Sequence, residues 1–119
     1  MGAVVRFTIL GFIIKEKYMA VVSRLSADNK TLTIRVNGQF DVSCYQDFGA
    51  SYKGQSSEGM EYVIDMSDTD YIDSSAMGMM VMLREYAGGD SADIKIANAN
   101  SEIQQTLKEA NFDQLFSLG

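Results

Sequence analysis

The sequence predicts a single α/β domain, a mixed β-sheet of four to five strands packed against three to four α-helices. Three observations carry this. Short β-rich runs alternate with stretches in which apolar residues recur at helical spacing, in the order β-β-α-β-α-β-α. The first two β-rich runs are joined by a short polar linker, which implies an antiparallel hairpin, whereas the later ones are separated by helices, which implies parallel crossovers of right-handed sense. The chain of 119 residues is long enough for one core and too short for two.

Residues 1–18 open with the apolar run Ala-Val-Val-Arg-Phe-Thr-Ile-Leu-Gly-Phe-Ile-Ile, residues 3–14. A membrane-spanning helix needs about 20 apolar residues, more than this run offers. Lys15-Glu16-Lys17-Tyr18 is a poor secretory cleavage region, which wants small residues. Two readings remain for this extension: an extra strand packed on the domain, or a stretch outside the working protein, with Met19 the natural start. The second is the expectation adopted, with the domain proper at 19–119.

Residues 20–25 and 31–36 read as two strands. The second alternates Leu32, Ile34 and Val36 with Thr31, Thr33 and Arg35, so one face is buried. Ser26-Ala27-Asp28-Asn29-Lys30 supplies the hairpin turn. Asn37-Gly38 breaks the strand, and Phe40 to Ser43 leads into a helix with Cys44, Phe48 and Tyr52 on one face at i, i+4 spacing. Residues 54–59 form a loop. Tyr62-Val63-Ile64-Asp65-Met66 is a buried strand, and residues 67–73 are an acidic loop. A helix begins at Ser74-Ser75, turns Met77, Met80, Val81 and Leu83 inward, and ends at Gly88-Gly89. Residues 93–97 give a short strand. Ser101 and Gln104 fit a capping box, and Ile103, Leu107 and Ala110 form a helical stripe. Asn111 suits a left-handed C-cap, after which Phe112, Leu115 and Phe116 pack back on the core.

Composition narrows the function. A net charge of −6 argues against binding nucleic acid or an anionic membrane surface, both of which reward Lys and Arg. Cys44 is the sole cysteine, so no intramolecular disulfide forms, and a reducing, cytoplasmic setting is expected. The absence of histidine removes the usual general base, the Ser-His-Asp and Cys-His systems and most transition-metal sites. No cofactor is expected.

Several candidate sites carry little chemistry. Asp65, Asp68, Asp70 and Asp73 could supply oxygen ligands, but a calcium loop counted from Asp68 needs Gly and Glu where Asp73 and Met79 stand. Asp65 as a phospho-accepting aspartate lacks an acidic pair after the first strand. Cys44, on an apolar face with no histidine available, reads as a small core residue. Met77, Met79, Met80 and Met82 could mark an adaptable binding surface, but they are too closely spaced to share one helix face, so some are core and some face outward. The serine pair remains. Helix capping by Asp73 or Ser74 explains one of the three residues Asp73, Ser74 and Ser75 and leaves a hydroxyl exposed beside it. Ala76 and Gly78 flank that hydroxyl with small side chains, which lets another surface come close.

Tyr71-Ile72-Asp73-Ser74-Ser75-Ala76-Met77-Gly78, following Val63-Ile64-Asp65-Met66, resembles the signature of the STAS-domain anti-sigma-factor antagonists. Val36-Asn37-Gly38-Gln39-Phe40-Asp41 resembles that family's turn before the first helix, and Ala110-Asn111-Phe112-Asp113-Gln114-Leu115-Phe116 its C-terminal segment. Ala76 and Asn111 depart from it, standing where glycine is frequent or usual. The resemblance implies a binding module with no catalysis, which sequesters an anti-sigma factor that is also a serine kinase of the histidine-kinase-like ATPase type. Phosphorylation of one serine is implied to release that partner, and a metal-dependent serine phosphatase to reset it. By the same resemblance the acceptor is Ser75, with Ser74 the alternative, and the partner-binding residues are Asp41, Asp73, Ser74, Ser75, Ala76, Met77 and Gly78. A scaffold or sensor module that binds a nucleotide or other ligand, without being a kinase substrate, is the alternative reading.

Overall fold

The computed structural model describes residues 19–55 and 59–119; the reading of residues 1–18 as an extension lies outside them. Seven strands and three α-helices run through these residues: β1 (Val21–Leu25), β2 (Thr31–Val36), β3 (Gly38–Phe40), α1 (Tyr45–Tyr52), β4 (Glu61–Asp65), β5 (Thr69–Ile72), α2 (Ser74–Tyr86), β6 (Asp93–Ala97), α3 (Ser101–Glu109) and β7 (Ser117–Leu118). Short 3-10 turns cover Val42–Cys44, Gly89–Ser91 and Phe112–Gln114. A mixed five-stranded sheet has the order β1-β2-β4-β6-β7, and a separate ribbon pairs β3 with β5.

The hairpin β1–β2 is antiparallel, with Asn29 in the left-handed region at φ 61°. Every later pairing in the main sheet is parallel. Three successive crossovers step one strand at a time in the same direction, so right-handedness places their helices on one face of the sheet. Burial follows from that. Leu32, Ile34, Val36, Tyr62, Ile64, Ile94 and Ile96 are buried, while Thr31, Thr33, Arg35, Glu61, Val63 and Asp65 between them are half-buried. Parallel strands that alternate in this way have only one face covered by helices.

Local details differ from the sequence reading at particular residues. Residues 67–73, expected to be a loop, contain β5, and Gly38 starts β3 instead of ending regular structure. In α2, Met80 and Leu83 are buried as expected, Met77 and Val81 are only partly buried, and Met79 joins the core. The cap of α3 is Asn100, whose side chain accepts the Ile103 N–H at 2.8 Å, so Ser101 and Gln104 form no capping box. Ala110 and Leu115 are exposed, whereas Phe112 and Phe116 stack at 5.2 Å and are buried. Asn111 is left-handed at φ 61°, as its position predicted.

Asp65 ends β4 in a polar network at the edge of the core. Burial pushes its pKa up, but the Ser67 N–H at 3.0 Å, the Asn98 amide at 3.1 Å and the nearby Arg35 outweigh this and leave it below the ordinary carboxylate value. A depressed folded-state pKa adds stability above the unfolded value of about 3.9, which is lost as pH falls through the folded value. Asp65→Asn should therefore lose less stability than the unaltered protein between pH 5 and about pH 2.5. Urea melts at the two pH values test this, and parallel losses would show that the carboxylate contributes nothing.

Candidate functional site

The β3–β5 ribbon positions the site. Its register pairs Gly38 with Thr69 but Gln39 with Tyr71 and Phe40 with Ile72, so Asp70 is an extra residue on β5. Without that irregularity Phe40 would oppose exposed Tyr71 instead of buried Ile72, because a one-residue slip exchanges the faces of a strand. Gly38, at φ 76°, lets the chain turn out of the main sheet, and its N–H donates to the Asp68 carbonyl at 2.8 Å. Thr69, the one buried polar side chain among the described residues, donates its hydroxyl to the Val36 carbonyl at 2.6 Å and ties the ribbon to β2.

Two aspartates leave the carboxyl ends of this parallel pair at the same level, on strands spaced by about 4.8 Å. Both have extended backbone, and each caps the helical turn that begins immediately after it. Asp41 accepts the Ser43 N–H at 3.0 Å and the Ser43 hydroxyl at 2.5 Å. Those bonds, the hydroxyl first, hold its pKa below the usual carboxylate value, so Asp41 is an anion at neutral pH. Asp73 accepts the Ala76 N–H at 3.1 Å and caps α2, and its carbonyl accepts the Met77 N–H at 3.2 Å. The N–H groups of Ser74 and Ser75 come before the first intrahelical bond, at the positive end of the helix. Asp73→Ala should cost about 0.5–2 kcal/mol by loss of the cap, while Asp73→Asn, which still offers an oxygen, should keep most of it. Thermal denaturation of the two variants checks this, and equal losses would mean that the oxygen does not cap.

The serines of the pair are not equivalent. Ser74, the first helical residue, is exposed, and Ser75 is half-buried. Gly78 is exposed and Met77 packs partly against the core. Ala76 is fully buried, so its side chain belongs to the core and not to an accessible surface. Asp41, Asp73, Ser74, Ser75 and Gly78 thus lie around the start of α2, while Ala76 does not face outward.

Exposed apolar residues border this group; sequence reasoning assigned no role to Val42 or Tyr45, quoted Tyr71 only within the family signature, and weighed Met82 as one of the methionine set. Val42 is 69% exposed and Tyr71 52%, each adjacent in sequence to a capping aspartate or one residue removed from it. Tyr45 and Met82 are also exposed and border the same groove between α1 and α2. The helical spacing of Ser74, Gly78 and Met82 was the signal available for the last of these. Cys44 is buried, its thiol directed at the Gln39 carbonyl at 3.5 Å, as a core residue. Among the described residues, no three His, Cys, Asp or Glu side chains gather closely enough to hold a metal ion. Among them, too, no helix is long and apolar enough to cross a membrane.

Comparison with known proteins places this geometry in context. Residues 23–118 match the family described as "Mlab, STAS domain". A STAS-domain containing protein of Pseudomonas aeruginosa (strain UCBPP-PA14) is 41% identical over 100 residues, covering 84% of this chain and 99% of the relative. Among solved structures, a Thermotoga maritima protein described as a candidate anti-sigma factor antagonist superposes with a TM-score of 0.69 at 14% identity, covering 82% of this chain and 84% of the other. The anti-sigma factor antagonist SpoIIAA in its unphosphorylated form gives a TM-score of 0.59 at 14% identity, covering 80% of this chain and 96% of that one. At such identity the structural likeness establishes the fold.

Proposed function

Because this chain belongs to the STAS domain family, we propose that it is an anti-sigma-factor antagonist, a cytoplasmic protein-binding module switched by phosphorylation of one serine. In its unmodified form it sequesters an anti-sigma factor that is also a serine kinase of the histidine-kinase-like ATPase type. It catalyses nothing itself. Phosphate on the serine releases the partner, and a metal-dependent serine phosphatase restores binding.

The observation that carries this reading is a hydroxyl exposed at the start of α2, beside two capping aspartates. Exposure favours Ser74 as the acceptor over half-buried Ser75, the reverse of the order that the resemblance implied. A kinase must bring the γ-phosphorus in line with the attacking oxygen, which an exposed first-turn hydroxyl permits without unwinding the helix. The partner surface comprises Asp41, Asp73, Ser74, Ser75 and Gly78, with the accessible part of Met77.

Phosphorylation adds about −1.5 to −2 charge at pH 7. The helix N-terminus favours an anion there, so the fold should tolerate the group. Docking should not. The phosphate must be desolvated against the partner while it lies near Asp41 and Asp73, and any acidic partner group adds repulsion.

The test is incubation of the purified protein with the host's serine kinases of this type and ATP, followed by intact-mass and peptide mapping. A gain of one phosphate at Ser74, abolished in Ser74→Ala and retained in Ser75→Ala, is the expected result. Phosphate confined to Ser75 would reverse the assignment between the two hydroxyls. No phosphate with any of these kinases would end the switch reading and favour a scaffold or sensor module instead.

A further inference from the structure

We propose that the partner surface continues along the seam between α1 and α2, where it seats an apolar side chain of the partner against Gly78 while a neighbouring lysine or arginine of the partner meets Asp41 and Asp73. This rests on the chain being a protein-binding switch, and adds where the partner lies and which chemistry it presents.

The two helices set off from neighbouring parallel strands and run alongside each other. At one end stand Asp73, which caps α2, and Asp41, which caps the 3-10 turn leading into α1, and Tyr52 and Tyr86 meet at the other with ring centroids 5.0 Å apart. The seam between them is apolar at the surface. Tyr45 is 50% exposed and Met82 43%, and the two border one groove together with Gly49 and Lys53. Aromatic and methionine side chains of this kind are enriched at the cores of protein interfaces.

Gly78 is the feature that points outward. It sits inside α2 on the exposed stripe formed by Ser74, Gly78 and Met82. Its backbone is not left-handed, and a Cβ added there would meet nothing within 4 Å. Neither backbone geometry nor internal packing therefore calls for glycine, and a glycine in a helix interior weakens the helix relative to alanine. Close approach by something outside the chain remains as the physical reason for the missing side chain. Charge selects what approaches. Asp41 and Asp73 lie at the near end of the seam on a chain of net charge −6, with Lys53 at the far end folded over Gly49. An apolar anchor followed by a basic residue toward the aspartates complements that pattern.

The experiment titrates the purified serine kinase that phosphorylates Ser74 against the unaltered protein, Gly78→Ala, Gly78→Leu, Met82→Lys and the control Gln105→Ala on α3. Gly78→Ala should raise Tm by about 2–6 °C, because alanine is the better helix former. It should nevertheless weaken binding about three- to tenfold, and Gly78→Leu more than about 100-fold. Met82→Lys should weaken binding about tenfold, since it sets a charge against an apolar anchor, and Gln105→Ala should leave it unchanged. Unchanged affinity of both Gly78 variants, with Ser74 still phosphorylated, would overturn this inference and leave the switch standing. A fall in Tm for Gly78→Ala would give the glycine an internal role and overturn it equally. If no such kinase transfers phosphate to the unaltered protein, the switch reading falls and this inference with it.

Discussion

Ser74→Asp is expected to weaken binding of the anti-sigma factor/serine kinase by about ten- to 100-fold, with Ser74→Ala binding as the unaltered protein does. Two unit charges 4 Å apart interact with about 4 kcal/mol at an effective dielectric of 20, and less where solvent and salt screen them. Each tenfold change in affinity needs about 1.4 kcal/mol, so a fraction of that repulsion is enough. The carboxylate carries one charge against nearly two for phosphate, so phosphorylated protein should bind more weakly than the aspartate variant. Stability should move the other way. An anion in the first turn of a helix gains about 0.3–1 kcal/mol from the macrodipole, so Ser74→Asp should melt no lower than the parent. Calorimetric titration and thermal melts on the same samples separate the two effects. Equal affinities for all three proteins would remove the charge switch. A large drop in melting temperature would mean that the variant loses binding by unfolding.

Phe40→Ala should destabilise the fold by about 3–5 kcal/mol, out of a total of about 5–15 for a domain of this kind. Phe40 is fully buried, and its ring lies 5.1 Å from that of Phe48 on α1. It is the last residue of β3, next to Asp41, so the contact that anchors the ribbon in the core also fixes one side of the site. In urea the midpoint should fall while the slope stays constant. Val42→Ala, two residues on at an exposed position, should change stability by no more than about 0.5 kcal/mol. A loss below about 1 kcal/mol for Phe40→Ala would show that the ribbon is not part of the core.

Much of the architecture was legible because the helices cover one face of the sheet. Residues 31–36 alternate in hydropathy, and the buried residues of β2 are the ones that alternation selects. Cys44, Phe48 and Tyr52 recur at i, i+4 spacing and all three are buried, although Cys44 belongs to the 3-10 turn that precedes α1. Met79 was less accessible to such reasoning. On a short helix carrying methionines at 77, 79, 80 and 82, periodicity permits more than one inward stripe, and contact with the rest of the core chooses between them. β5 was missed because Thr69-Asp70-Tyr71-Ile72 has polar and charged residues where a strand usually has apolar ones. It is a strand because β3 is available to pair with it.

The sequence alone determined the class of fold, the order of its principal elements, the family resemblance and the neighbourhood of the serine pair, since these follow from periodicity, capping chemistry and motif spacing within short stretches of chain. Only the tertiary structure decided that Asp41 and Asp73 stand side by side, that Ser74 is more open than Ser75, and that Ala76 is out of reach. Those are matters of register between strands far apart in sequence and of what packs over each side chain, and no local pattern of residues encodes either.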